Sequence, residues 1–226
     1  MIVENNLYKD FKPYESYQNI KTKEKKGIDK KAVMGALSGV ALGLVVSKGI
    51  YKHDFFKEMG DEVLQSPKDK LKYTAKDVAS MLTMAGLSNL GAVLFSSKND
   101  SKEEKKKKIH EAQFQIMNTS IPMLLVTGAN ILCDNVKALN NKGAKIVSSL
   151  GAMVTGAALA SKITNLNKAP NQEKRKYTIK DSVANFDDII ATFVVGFPQL
   201  GKLNVVAKTL LPFIYTYCGS RVSEEK

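Results

Sequence analysis

Two adjacent carboxylates, Asp187 and Asp188, stand at the head of an apolar run that begins at Ile189, with Asn185 just upstream. Inside an apolar segment an ionisable group is expensive to bury and marks a candidate for ion or proton handling. At a helix start the same pair caps backbone N–H groups and suits the positive end of the helix dipole. Capping is the favoured reading, because the corresponding earlier run carries Ser80 and Thr83 and no equivalent acid. Two other runs share a T-x-x-P signal, Thr119 with Pro122 and Thr209 with Pro212, and Pro198 follows Gly196-Phe197 in a third. Proline removes a backbone donor and kinks a helix, freeing a carbonyl that a nearby hydroxyl can partly satisfy. Breaks at matching places in two halves point to a ligand site at mid-membrane, although kinks that only improve packing are equally common. Asn89, Asn118, Asn130 and Gln199 are expected to act mainly as interhelical hydrogen-bond glue.

No catalytic constellation emerges. His53 falls in a charged loop and His110 at the mouth of an apolar run; neither has a second ligand at metal spacing, so no metal is expected. Cys133 and Cys218 lie far apart within apolar runs and read as small buried hydrophobes. Phosphate-loop, dinucleotide-loop and nucleophile-elbow motifs are missing, so no cofactor is expected and the reading leans away from an enzyme. The 226 residues carry 34 Lys+Arg against 22 Asp+Glu, a formal charge of +12 that draws polyanions. Nearly all of it is lysine. Arg175 and Arg221 are the only arginines. Since arginine is the bidentate reader of phosphate and guanine, nucleic acid is a poor fit and an anionic lipid surface a better one.

Six apolar segments must position these groups: residues 32–47, 78–97, 112–133, 146–161, 189–201 and 203–220, the last interrupted only by Lys208. A helix of sixteen residues reaches roughly 24 Å, short of a hydrocarbon core of roughly 30 Å unless flanking lysines snorkel. Lys31 and Lys48 bracket the first segment, and Lys145 and Lys162 the fourth. The second and third, with 20 and 22 uncharged residues, are long enough unaided. A water-soluble bundle would need a charged face along each helix, and the second to fourth segments have none. The expected fold is therefore an all-α polytopic membrane bundle of about six spans. With the N-terminus cytoplasmic, 22 basic residues fall inside and 11 outside, so both termini are expected to be cytoplasmic. The first thirty residues show no apolar core or cleavage site, and no signal peptide is expected.

The chain also repeats itself. K-Y-T-x-K-D occurs at residues 72–77 and 176–181, each followed by G-x-x-x-L-G, at 86–91 and 196–201. Upstream lie two ladders of small residues spaced by four: Gly35, Gly39 and Gly43, then Ala152, Gly156 and Ala160. Downstream lie the two T-x-x-P signals. The shared order suggests a basic tail over 1–30 and two three-helix halves, 31–133 and 134–226. Three crossings per half would insert the second copy upside down relative to the first. Small-residue ladders let helix backbones touch, and the first ladder is expected to pack statically on the second.

For function, the leading expectation is permeation or transport of a small solute or ion. Its site would lie between the third, fifth and sixth segments, at Asp187, Asp188, Thr119, Pro122, Pro198, Thr209 and Pro212. The alternative is a noncatalytic membrane scaffold. It would assemble with itself or another membrane protein through its ladders and hold anionic headgroups with Lys105, Lys106, Lys107 and Lys108. A third reading is a soluble lysine-rich helical domain that binds nucleic acid.

Overall fold

The computed structural model describes residues 27, 29–57, 74–168 and 173–224. The tail up to residue 26, and Lys72 and Tyr73 of the first repeated word, lie outside them. The principal elements are helical: α1 (Lys30–Gly49), α2 (Ala75–Ser96), α3 (Lys102–Asn135), α4 (Lys142–Leu166), α5 (Phe186–Gly196) and α6 (Gly201–Ser220). Short 3-10 turns at Ile179–Asn185, Pro198–Leu200 and Arg221–Ser223 precede, join and follow the last two helices. No strand occurs among the described residues.

Helix starts follow side-chain capping chemistry. Asp29, Thr74, Ser101 and Asn141 each accept a bond from a first-turn backbone N–H, and Thr74 and Ser101 complete reciprocal capping boxes with Asp77 and Glu104. Each of the six expected segments holds a helix, yet among the described residues only α1, α2, α3 and α4 are long and apolar enough to cross a membrane. The fifth segment is the reason for part of the difference. Its helix starts at Phe186 and stops at Gly196 after 11 residues, about 16 Å of rise, because Pro198 cannot continue it.

Two antiparallel hairpins make up most of the bundle. In the first, α1 lies on α2 at backbone contact: a Cβ built on Gly39 would stand 2.0 Å from the Leu87 carbonyl oxygen, and one on Gly35 2.2 Å from that of Gly91. Gly43 meets Met84 in the same way. In the second hairpin α4 lies on α3, with Gly156 against Pro122 and Asn130 donating to Val126 O and Ser149 Oγ. The expected seam between the two ladders is therefore not formed. Each ladder packs on the helix beside it in sequence, Gly35, Gly39 and Gly43 on α2 and Gly156 on α3. Connections of 25 and 6 residues bring these neighbouring helices together at a lower loop-closure cost than a partner about a hundred residues away. Then α6 crosses α1 and α2, with Gly219 against Ser88, whose hydroxyl donates to Tyr215 O at 2.7 Å. Between α4 and α6 sits α5, where Ala191 packs with Val126 and Met153.

The distribution of side chains is inside-out relative to a water-soluble protein. Val45, Leu94, Val147, Val154, Leu166 and Phe213 face outward, while Ser80, Ser88, Asn89, Gln115, Asn118 and Asn130 are buried. Packing alone does not favour that arrangement in water; an apolar surrounding does.

Candidate functional site: a buried charged centre between two polar ends

One end of the bundle gathers the start of α1, the ends of α2, α4 and α6, the start of α3 and the 3-10 turn before α5. Ala32, Ala36, Ala92, Ala112 and Val222 pack there as one cluster, and Asp29 N donates to Ser223 Oγ. Beside this cluster the chain's two arginines converge on one carboxylate. Arg175 and Arg221 each donate to Asp181 Oδ1 at 2.6 Å. Arg175 also donates to both oxygens of Glu111, at 2.8 and 3.1 Å, and stacks 3.8 Å over the Phe114 ring. Arg221 also binds Glu224 at 2.9 Å, and Glu224 takes Lys180 as well. Asn118 ties α3 to the same turn by donating to Asp181 O. Burial alone would raise the Asp181 pKa, but the bonds from Arg175 and Thr178 outweigh it and hold the carboxyl down to about 2. Burial likewise disfavours both guanidinium charges, and their carboxylate bonds overcome it and raise both pKa values.

The opposite end carries a different cluster. His53 Nε2 lies 2.9 Å from Asp77 Oδ1, its Nδ1 lies 3.1 Å from Ser80 Oγ, and all three side chains are buried. Phe55 meets the His53 ring edge to face at 6.1 Å. A serine, a histidine and an aspartate in one chain of contacts resemble a hydrolytic triad. Here, however, Ser80 is fully buried.

Three further charged side chains are buried on α5 and α6. Asp187, Asp188 and Lys208 are 3%, 2% and 4% exposed. The two acids occupy the first turn of α5, whose N-cap residue is Asn185, and Asn185 makes no side-chain capping bond. There the charge of the two acids suits the positive end of the helix dipole, as expected of the pair, and they are buried as well. The cap in this stretch is one turn structure earlier, where Thr178 and Asp181 form the box. On α6 Lys208 and Tyr215, seven residues apart, share the inward stripe with Leu211 and Cys218. Tyr215 packs in the same core cluster as Ala184, in the turn that leads into α5. Tyr215 Oη and Asn185 Oδ1 are buried and find no hydrogen-bond partner among the described residues.

The remaining candidates divide. Thr119 and Pro122 are buried on α3 and Pro212 on α6, but Thr209 is exposed and faces away from the centre. Pro198 falls in the turn between α5 and α6. The threonines do not cover the carbonyls that the prolines free. Thr119 donates to Gln115 O and Thr209 to Val205 O, four residues back, whereas the freed acceptors are at Asn118 and Lys208. Ala152 and Ala160 lie along α4, with Ala160 fully buried. Lys105, Lys106 and Lys107 are exposed on the first turns of α3. Lys108 is engaged, donating to Ser96 O and pairing with Asp100 at 2.8 Å each. His110 is buried and contacts Thr164 O. The reading of residues missed Lys208, His53, Asp77, Glu111 and Asp181. The available signals were a lone lysine within an apolar run, the only two arginines, and the acid that ends both repeated words. Among the described residues no group of histidine, cysteine and acids could hold a metal ion.

No protein-family model, no curated protein and no solved structure matches the chain. The fold defines a helical protein with four helices long and apolar enough to span a membrane.

Proposed function

We propose that this chain is a small integral membrane transport protein, and that the centre formed by Asp187, Asp188, Lys208, Asn185 and Tyr215 binds what it moves. Burial of three charged side chains on α5 and α6, inside a bundle whose outer surface is apolar, carries the reading. Carboxylates, an amide oxygen and a phenol oxygen form a hard-oxygen donor set, which suits a small cation such as a proton or an alkali ion. In this reading α5 and α6 complete a six-pass bundle of two inverted halves, α1–α3 and α4–α6, with both termini cytoplasmic. The broken fifth helix lies where transporters place unwound segments.

The test is flux in proteoliposomes under proton, sodium or potassium gradients. The double variant Asp187→Asn, Asp188→Asn is expected to abolish flux while keeping its elution profile and helix content. Unaltered flux together with a lowered melting temperature would leave the acids a purely structural role. Reporter fusions after each helix check the number of passes.

The second reading, a noncatalytic scaffold that holds anionic lipid, draws on a different observation. Gly151, Thr155 and Ala158 lie on the exposed side of α4, and Lys105, Lys106 and Lys107 on the surface of α3. Gly35, Gly39 and Gly43 are already committed to α2, so assembly would have to use α4. Gly151→Leu is expected to dissociate a scaffold complex and to leave a monomeric transporter unchanged.

A further inference from the structure

The two T-x-K-D words close on themselves alike. Thr74 donates its N–H and its hydroxyl to Asp77 Oδ2, at 2.7 Å each. Thr178 does the same to Asp181 Oδ2, at 2.6 and 2.7 Å. A capping box occupies one carboxylate oxygen. In both copies the other oxygen turns inward against a buried basic side chain from elsewhere in the chain: His53 Nε2 lies 2.9 Å from Asp77 Oδ1, and Arg175 and Arg221 donate to Asp181 Oδ1. The two sites lie at opposite ends of the bundle.

Each joint fastens a segment across one end. At Asp77 the residues just after α1 lie against the first turn of α2 through His53, and Phe55 beside it is buried in the same cluster as Met81, Leu211 and Tyr215. At Asp181 the turn entering α5 is fastened to α3 through Glu111 and to the chain after α6 through Arg221. As static glue such joints are a poor choice. A buried ion pair replaced by packed apolar groups is often as stable or more so, whereas removing one partner is strongly destabilising. A buried ionic joint is therefore suited to two states, made or broken, at a fixed register.

We propose that Asp77 and Asp181 are a matched pair of latches, each holding one end of the bundle shut over the α5–α6 centre, so that releasing one opens that end alone. This rests on the transport reading above, since a latch matters only to a centre that must be reached from two sides. In the structure both latches are made.

Two buried side chains report on the ends: Cys218, 1% exposed and one turn before Arg221, and Met81, 2% exposed and one turn after Asp77. In the full-length protein in detergent, with Cys133→Ser throughout, a water-soluble maleimide reads Cys218 in one series. It reads Met81→Cys, with Cys218→Ser, in the other. Asp181→Asn is expected to speed labelling of Cys218 about a hundredfold or more, the change a broken buried ion pair gives to a local opening equilibrium, and to leave Met81→Cys unchanged. Asp77→Asn is expected to do the reverse. Arg221→Gln and His53→Gln leave both capping boxes whole and must give the same end-specific pattern, so a folding defect in the aspartate variants does not hide the answer. Unchanged labelling in all four, or equal exposure of both reporters by any one, overturns the latches. Wild-type flux is measured separately in liposomes. Flux without end-specific labelling removes the latches and keeps the transport reading, while absence of flux under every gradient removes both.

Discussion

Substituting Gly39 by alanine adds one methyl group to the tightest point of the α1–α2 hairpin. That Cβ would stand 2.0 Å from Leu87 O and 2.4 Å from Leu87 C, where an unstrained contact is about 3.5 Å or more. The obstacle is backbone, so no rotamer change relieves it, and the two helices must part by more than an ångström at that level. Overpacking of this kind costs about 1–3 kcal/mol, and the upper end applies because the carbonyl is held in its own helix. Alanine returns up to about 1 kcal/mol through helix propensity. The expected net loss is about 2 kcal/mol, with Gly35→Ala and Gly91→Ala behaving alike, since each Cβ would meet the other's carbonyl oxygen at 2.2 Å. A methyl group on Gly86, Gly128 or Gly151 would meet no other element within 4 Å. Their alanine variants keep only the propensity term and should be neutral or slightly stabilised. Thermal unfolding in detergent can be followed by a thiol-reactive dye, because Cys133 and Cys218 are free and buried until the bundle opens. A melting temperature for Gly39→Ala equal to that of Gly86→Ala would refute the backbone contact and with it the packing of the first hairpin.

Three other outcomes follow from the polar clusters. The Asp181 carboxyl is held at about 2 against an ordinary 3.8, so its stabilisation is complete above about pH 4 and is lost as the pH falls through about 2. That should amount to about 1–2 kcal/mol after solvent screening. Acid titration of the melting temperature should show this loss in the wild type and a smaller one in Asp181→Asn. His53→Ala leaves the buried Asp77 Oδ1 without its partner and should cost about 3 kcal/mol, whereas Ser80→Ala should cost only about 1 kcal/mol; chemical denaturation in mixed micelles separates them. Asn130→Leu removes the bonds to Val126 O and Ser149 Oγ that join α3 to α4. It should lower stability by about 1 kcal/mol without changing helix content by circular dichroism.

Particular residues show what was readable in the linear chain. Asp29, Thr74, Ser101 and Asn141 announce helix starts, because a cap is a bond between residues two or three apart. Long uncharged runs announce α1 to α4 for the same local reason, since length and hydropathy add along one segment. The fifth segment was readable as apolar and short, but the turn that leads into it is a 3-10 segment from Ile179 that the apolar run does not announce. Asp187 and Asp188 look alike whether they cap a helix or face an interior. In the structure they do both, standing in the first turn of α5 and buried there.

By itself the chain's order of residues determined an all-helical protein with apolar helices, basic connections and two similarly written halves, because each of those properties depends on neighbours within a few turns. The tertiary structure alone decided that each glycine ladder packs on its adjacent helix and that both arginines share Asp181. It alone also decided that a loop histidine is buried on Asp77. Those outcomes depend on which surfaces meet across distances of up to 194 residues, as between Asp29 and Ser223. A carboxylate's partner in a low-dielectric interior is set by that meeting rather than by its place in the chain.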